Sequence, residues 1–275
     1  LIKGMVVQSG NDATVALAEG VAGTVERFVQ MMNDQAKVLG MKNTSYKNPE
    51  GQTEAGQTTT ARDLGTLATR LMRDFPEYMG TYALKKYRYP GSPAANDSNR
   101  NLLLFKDPTV DGLKTGHTDA AGYCLVATAK REFPNVGSRR LMAIVLGTSS
   151  EISRANEAQK LLNWGYTAFD AVKLYEAGQA VATPAIWKGK ASTVKLGRSD
   201  PLVVAVPTGT ASQIKTQLAR PEPLVAPVIK GQTIGSLKIY RGEQLWVDAP
   251  LQALDAVEQA GVLGRAWDAL RLWIK

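Results

Sequence analysis

The stretch Asp111-Gly112-Leu113-Lys114-Thr115-Gly116-His117-Thr118 places a cation, a hydroxyl group and a glycine in immediate succession. An apolar run over 123–129 follows it, which predicts that the stretch lies on a strand beside a second, mostly buried strand. Gly116 has no Cβ, so the backbone of a ligand can approach closely at that point. Lys114 can stabilise a carboxylate or a developing oxyanion, and Thr115 can donate a hydrogen bond to the same group. The stretch is therefore a candidate binding edge for an anionic ligand.

A second element supports a catalytic role for this edge. Ser9-Gly10-Asn11 lies well upstream and is followed at once by a helix-like run over 12–19. Lys-Thr-Gly, a Ser-x-Asn element and Ser-x-x-Lys together form the active-site set of penicillin-binding proteins and class A β-lactamases. Lys-Thr-Gly alone is equally compatible with an exposed edge strand that ends in a polar turn, so the prediction depends on the two elements together.

The chain resembles the low-molecular-mass D-alanyl-D-alanine carboxypeptidases, the penicillin-binding proteins of serine peptidase family S11. Residues 4–13 resemble the second motif region of that family, and residues 110–123 resemble the third. Four further segments are also similar to it, namely 40–44, 60–64, 160–165 and 267–275. The resemblance implies an α+β fold, in which a transpeptidase domain related to β-lactamases precedes a small all-β domain and a C-terminal amphipathic helix.

The nucleophile of the resembled family lies in a Ser-x-x-Lys motif well upstream of Ser-x-Asn, but Ser9 is the ninth residue of this sequence. Two later matches, Ser192–Lys195 and Ser212–Lys215, fall in a β-rich segment, and we interpret them as coincidences. We therefore expect the transpeptidase-like domain to be N-terminally incomplete in these residues, with the nucleophile segment absent from them.

Two alternatives stay open at this point. Without a nucleophile, the chain would be a non-catalytic, membrane-tethered fragment that binds the cell wall. A β-lactamase-related hydrolase is the enzymatic alternative, and it would carry a Glu-x-x-Leu-Asn loop between the two motifs. Glu50 and Glu54 lie in that interval without this context.

The resemblance implies hydrolysis of the terminal D-Ala–D-Ala bond of peptidoglycan pentapeptides through an acyl-enzyme, and also binding of β-lactam antibiotics. Three residues would be catalytic. Ser9 would pass a proton to the leaving amine, Asn11 would hold the substrate amide, and Lys114 would supply positive potential.

The resemblance also implies a substrate-binding set. Besides Lys114, it consists of Thr115, Gly116, His117, Arg100 and Arg154. Thr115 would bind the substrate carboxylate, Gly116 would admit the substrate as an added strand, and the backbone N–H of His117 would form half of an oxyanion hole. Arg154 would help to receive the terminal carboxylate. As sequence features alone, the two arginines are equally compatible with a helix surface and a solvated loop.

Composition limits the possible partners. The net charge of +8 favours an anionic partner, but the basic residues are scattered and no nucleic-acid-binding motif is present, so we expect no nucleic-acid partner. The chain has one histidine and one cysteine, from which we expect no metal site and no cofactor.

Helical spacing predicts two helices within 12–40, with Thr24 as an N-cap, and a helix that begins at Thr60 with Asp63 in a capping box. Strands are predicted at 110–116, 121–131 and 139–147, before a helix over 149–168. These patterns indicate helices that cover an antiparallel sheet.

We predict a carboxypeptidase domain over 1–178, a β-rich domain over 179–249 and an amphipathic anchor helix over 250–275. The anchor prediction depends on an apolar stripe flanked by cations, which is typical of interfacial helices. A helix docked on the β-rich domain is the alternative. The stripe consists of Leu263, Ala266, Trp267, Leu270, Trp273 and Ile274. We therefore expect a periplasmic protein that binds peripherally to the outer face of the bacterial inner membrane.

Overall fold

The computed structural model describes residues 1–134 and 136–274. They form two compact units. The first consists of Leu1–Phe133 and Ser138–Tyr166, and the residues from Thr167 onward form most of the second.

The first unit begins with a π-helix and contains six α-helices. Their bounds are Gly4–Gln8 for the π-helix, then α1 (Asn11–Ala22), α2 (Val25–Val38), α3 (Ala61–Asp74), α4 (Met79–Tyr82), α5 (Leu103–Lys106) and α6 (Glu151–Ala168), whose last two residues belong to the second unit. The predicted N-cap is confirmed, because the Arg27 N–H donates to Thr24 Oγ1 at 3.2 Å.

Only half of the predicted capping box forms at the start of α3. The Asp63 N–H donates to Thr60 Oγ1 at 3.1 Å, as expected for a cap. The Asp63 carboxylate instead accepts hydrogen bonds from the Asn43 N–H and the Thr44 hydroxyl, both at 2.8 Å. It therefore ties the preceding loop to the helix rather than closing the box.

The sheet of the first unit has three strands in the order β1 (Val110–Thr118), β2 (Gly122–Phe133) and β3 (Gly137–Thr148). Strands β1 and β2 are antiparallel, with Gly116 opposite Cys124 and His117 opposite Tyr123. Helix α6 packs on the sheet because its buried side recurs at helical spacing over small and apolar residues. The cluster includes Leu125, Ala127 and Ala129 of β2 and Ala155, Ala158 and Leu162 of α6.

The second unit is mostly β. Its strands are β4 (Phe169–Tyr175), β5 (Ala180–Ala182), β6 (Leu196–Gly197), β7 (Leu202–Pro207), β8 (Ile214–Ala219), β9 (Thr233–Arg241) and β10 (Gln244–Ala253). They form a five-stranded sheet in the order β5-β6-β10-β9-β8 and a two-stranded sheet of β4 and β7. The predicted hairpin at Arg241-Gly242 joins β9 to β10, with Gly242 at φ 59°.

Two element boundaries differ from the sequence prediction. Strand β10 continues through Ala253, and helix α7 spans Val262–Ile274, so the predicted helix over 250–275 is shorter. The side chains of Ala249, Leu251 and Ala253 alternate into the core, which favours a strand there. Strand β4, assigned to the first domain by composition, pairs instead with β7. None of the helices in 1–134 and 136–274 has the length and apolar content needed to cross a bilayer.

Candidate active site

Ser9 lies at a sharp turn between the π-helix and α1. It has a left-handed backbone with φ 57°, an uncommon conformation for a residue with a side chain. Gly10 follows in a crowded position, because a Cβ there would lie 3.0 Å from the Asp12 carboxylate and 3.5 Å from the Gly4 carbonyl oxygen. A side chain at position 10 would therefore crowd the turn that carries Ser9.

Lys114 meets Ser9 although the two residues are 105 positions apart. Its Nζ donates to Ser9 Oγ at 2.8 Å and to the carbonyl oxygen of Thr115 at 2.8 Å. Burial, together with the nearby charges of Arg100 and Arg154, lowers the pKa of Lys114 to about 8. The ammonium group can therefore exchange a proton with its surroundings close to neutral pH.

The rest of the Lys-Thr-Gly edge lies open on one side. Thr115 is buried, whereas Gly116 and His117 are exposed. Within 1–134 and 136–274, β1 has a paired strand on one side only, so its other edge can accept an added strand. The imidazole ring of His117 stacks on the Tyr123 ring with centroids 3.9 Å apart, which fixes the end of the edge.

Arg154 lies beneath the Lys-Thr-Gly edge. Its side chain is only 2% exposed. The guanidinium donates to the carbonyl oxygens of Gly116 at 3.3 Å and Arg100 at 3.0 Å, and to the Glu151 carboxylate at 3.2 Å. These donors are engaged with the protein itself. Arg154 therefore contributes charge beneath the edge, while Arg100 is exposed.

Asn11 is the first residue of α1 and is exposed, two positions after Ser9. The structure thus joins Ser9 to Lys114 directly and joins Arg154 to Gly116 and Arg100. Sequence reasoning missed two buried residues beside Arg100, namely Asn99 and Asn101. Their signal was the polar Asn-Arg-Asn run, which reads as an ordinary loop. Among the described residues, no group of three or more His, Cys, Asp or Glu is arranged to hold a metal ion.

Comparison with known proteins identifies the family. The family model described as D-alanyl-D-alanine carboxypeptidase matches residues 1–150, more than half of the chain. The chain belongs to the D-alanyl-D-alanine carboxypeptidase family. A second model, the C-terminal domain of penicillin-binding protein 5, matches residues 169–259. Membership places the chain among the penicillin-binding, serine-type carboxypeptidases, and the alternatives of a wall-binding fragment or a β-lactamase are not favoured.

Individual relatives agree with this assignment. D-alanyl-D-alanine carboxypeptidase DacA of Haemophilus influenzae is 37% identical over 277 residues, which cover 100% of this chain and 69% of the relative. The crystal structure of penicillin-binding protein 5 from the same organism superposes with a TM-score of 0.78 at 36% identity, covering 94% of this chain and 73% of that one. Penicillin-binding protein D2 of Listeria monocytogenes, in its ampicillin-bound form, has a TM-score of 0.53 at 32% identity, covering 60% and 65%. The chain spans about two thirds of the length of the curated relatives that it matches.

Proposed function

We propose that the open edge of β1 binds the D-Ala–D-Ala end of a peptidoglycan stem peptide, and that Ser9 and Lys114 deliver a proton to the leaving amine. The observation that carries this proposal is the 2.8 Å contact between Lys114 Nζ and Ser9 Oγ. The two motifs that supply these atoms are far apart in sequence, and such a contact is what a proton relay requires.

The substrate lies along the edge as an added strand. Its terminal carboxylate pairs with the Lys114 ammonium and accepts a hydrogen bond from Thr115, since an ionised partner strengthens both interactions. Gly116 leaves room for the substrate backbone. The backbone N–H of His117 donates a hydrogen bond to the scissile carbonyl oxygen, and Asn11 holds the substrate amide.

Ser9 acts on the leaving group. Its hydroxyl gives a proton to the departing D-Ala amine and regains one from Lys114. The hydrogen bond from Lys114 also keeps the hydroxyl aligned. The attacking serine belongs to the Ser-x-x-Lys motif of the family. β-Lactam antibiotics take the same path as the substrate and leave a stable acyl-enzyme on that serine.

Intact-mass analysis of the full protein before and after incubation with a penicillin tests this proposal. We expect the mass to rise by one drug molecule, and we expect Lys114→Met to slow formation of the adduct at least a hundredfold. Lys37→Met is the matched control, because the Lys37 side chain is 79% exposed and lies on α2. A wild-type protein without an adduct, or equal rates for the two variants, would refute the proposal.

We further propose that the protein is periplasmic and that α7 holds it on the outer face of the inner membrane. The predicted apolar stripe faces solvent, with Leu263 87%, Trp267 62% and Trp273 84% exposed. The opposite side of the helix contacts the β domain: Asp268 accepts a hydrogen bond from the Lys188 N–H at 2.7 Å, and the Arg271 guanidinium lies 5.4 Å from the Trp187 ring centroid. The helix therefore presents its tryptophans outward, as an interfacial helix does.

Co-sedimentation with vesicles that contain anionic phospholipid tests the location. Leu263→Gln combined with Trp273→Gln removes apolar surface worth roughly 1.5 kcal/mol or more per side chain, so we expect at least a tenfold loss of affinity. Ile229→Gln, at a residue 68% exposed outside α7, is the control. Equal binding by all three proteins would rule out α7 as the anchor.

A further inference from the structure

Two buried asparagines flank Arg100. Asn99 is 5% exposed and Asn101 is fully buried, whereas Arg100 between them is exposed. Buried amides are costly unless their hydrogen bonds are satisfied, so such a pair in a loop indicates a specific structural task.

Their amide groups are paired within the protein. Asn99 Nδ2 donates to the Leu84 carbonyl oxygen at 3.0 Å, and Asn99 Oδ1 accepts from the Asn101 N–H at 2.9 Å. Asn101 Nδ2 donates to the Gly112 carbonyl oxygen at 3.1 Å, and Asn101 Oδ1 accepts from the Leu103 N–H at 3.1 Å. Asn101 therefore ties this loop to β1 two residues before Lys114.

A second tie joins the same loop to β1 two residues after Lys114. Arg154 bridges the carbonyl oxygens of Arg100 and Gly116 with its two terminal nitrogens. Lys114 thus lies midway between two anchored carbonyl groups, at Gly112 and Gly116. Both anchors start from adjacent residues of one loop, so the loop and the edge can move only together.

We infer that Asn101 and Arg154 are positioning residues, which hold Lys114 opposite Ser9 by clamping β1 at Gly112, before Lys114, and at Gly116, after it. This inference rests on the proposed function of the Ser9–Lys114 pair. Catalytic groups misplaced by about 1 Å can lose about a hundredfold in rate, so a clamp of this kind controls the acylation step without touching the substrate.

The clamp also holds in place the charged groups that act on Lys114. Arg100 in the loop and Arg154 on α6 are the charged groups that lower its pKa, and Ser9 faces it from the turn before α1. If the loop is released, Arg100 moves away and the pKa of Lys114 rises. The alkaline midpoint of the acylation rate therefore reports on the clamp, because a purely structural defect would leave that midpoint unchanged.

Asn101→Leu in the full protein removes both hydrogen bonds without adding a charge. We expect acylation by a penicillin to slow ten- to a hundredfold, with the alkaline midpoint of the rate profile shifted upward. Asn33→Leu is the matched control, because Asn33 Nδ2 donates to two carbonyl oxygens, of Val29 and Tyr46, away from β1. It should lose stability but keep the rate and the midpoint.

Arg154→Lys separates geometry from charge, since lysine keeps the cation but cannot bridge two carbonyl groups in one plane. Asn101 still ties the loop to Gly112 in this variant, so Arg100 stays near Lys114 and we expect slower acylation with an unchanged midpoint. This variant decides the matter if Asn101→Leu does not fold. Wild-type acylation rates in both variants would overturn the inference while leaving the proposed function intact. If the wild type forms no adduct, the proposed function itself fails.

Discussion

Arg140 grips Asp111 with two hydrogen bonds of 2.7 Å, one to each carboxylate oxygen. The pair connects β3 to β1 across the intervening strand, and Arg140 also donates to Thr128 Oγ1 of β2 at 2.7 Å. All three strands are therefore fastened at the end of β1 from which the Lys-Thr-Gly edge extends.

This fastening should be measurable as stability. Both side chains of the pair are about one third exposed, so a two-pronged, three-group arrangement is worth about 1–2 kcal/mol. We expect Arg140→Met to lower the free energy of unfolding in urea by that amount. Lys37→Met, which breaks the exposed ion pair with Asp34, should change it by less than about 0.5 kcal/mol. Equal effects would show that the sheet does not depend on Arg140.

The pKa of Lys114, about 8, predicts an alkaline limit for substrate capture. In the proposed function the substrate carboxylate binds the charged lysine, so kcat/KM should fall as the pH rises through about 8. Arg100→Gln removes a positive neighbour that lowers this pKa, and the fall should therefore move to higher pH. A flat profile between pH 7 and pH 10 in the wild type would contradict the proposed role of Lys114.

The same lysine predicts a stability difference at high pH. Its folded-state pKa is below the ordinary value of 10.5, so between about pH 8 and pH 10.5 the unfolded chain binds a proton that the folded chain does not. The contribution of Lys114 to stability therefore increases with pH across that window. In urea, the free energy of unfolding of the wild type should rise relative to that of Lys114→Met as the pH increases across this window. A constant difference between the two proteins would argue against a lowered pKa.

The backbone at Ser9 predicts an unusual ranking of substitutions. Residues with a side chain are strained at φ 57°, and glycine is not. Ser9→Ala and Ser9→Gly both remove the hydroxyl, so both should lose the proposed proton relay. In thermal or urea unfolding, Ser9→Gly should nevertheless be more stable than Ser9→Ala by about 1 kcal/mol. The reverse order would mean that the turn is not held in the left-handed conformation.

Asp107 predicts an acid-sensitive contact. Burial raises its pKa, but hydrogen bonds from the Thr109 hydroxyl and N–H and from Arg131 outweigh this and hold the pKa below its usual 3.8. Stability from this depressed pKa is present at neutral pH and is lost as the pH falls through the folded-state value. The difference in unfolding free energy between wild type and Asp107→Asn should stay constant from pH 7 to pH 5 and shrink below about pH 4. A difference that does not change at low pH would exclude the contact as its source.

Much of the first unit follows from local pattern. The β1, β2 and β3 segments were predictable because apolar alternation and turn residues are local signals, and the Thr24 cap needs only the next three residues. The meeting of Ser9 with Lys114 came from the family resemblance alone. No periodicity places two residues 105 positions apart within hydrogen-bonding distance.

The remaining features depend on tertiary contacts. The partner of β4 is a strand that starts 33 residues after β4 does, which composition cannot indicate. The burial of Arg154 and Asn101 depends on carbonyl groups that become available only when the loop meets β1. Polar residues are usually exposed, but the satisfied hydrogen bonds of Arg154 and Asn101 make their burial tolerable.

The contact between Asp268 and the backbone of Lys188 holds α7 in place along its polar side. Most amphipathic tails are disordered in water and lose conformational entropy when they fold on a surface. A helix that is already ordered avoids most of that loss, so more of its apolar area contributes to affinity. With the membrane binding proposed for α7, far-ultraviolet circular dichroism of this protein should therefore stay the same when vesicles are added, while the tryptophan fluorescence moves to the blue.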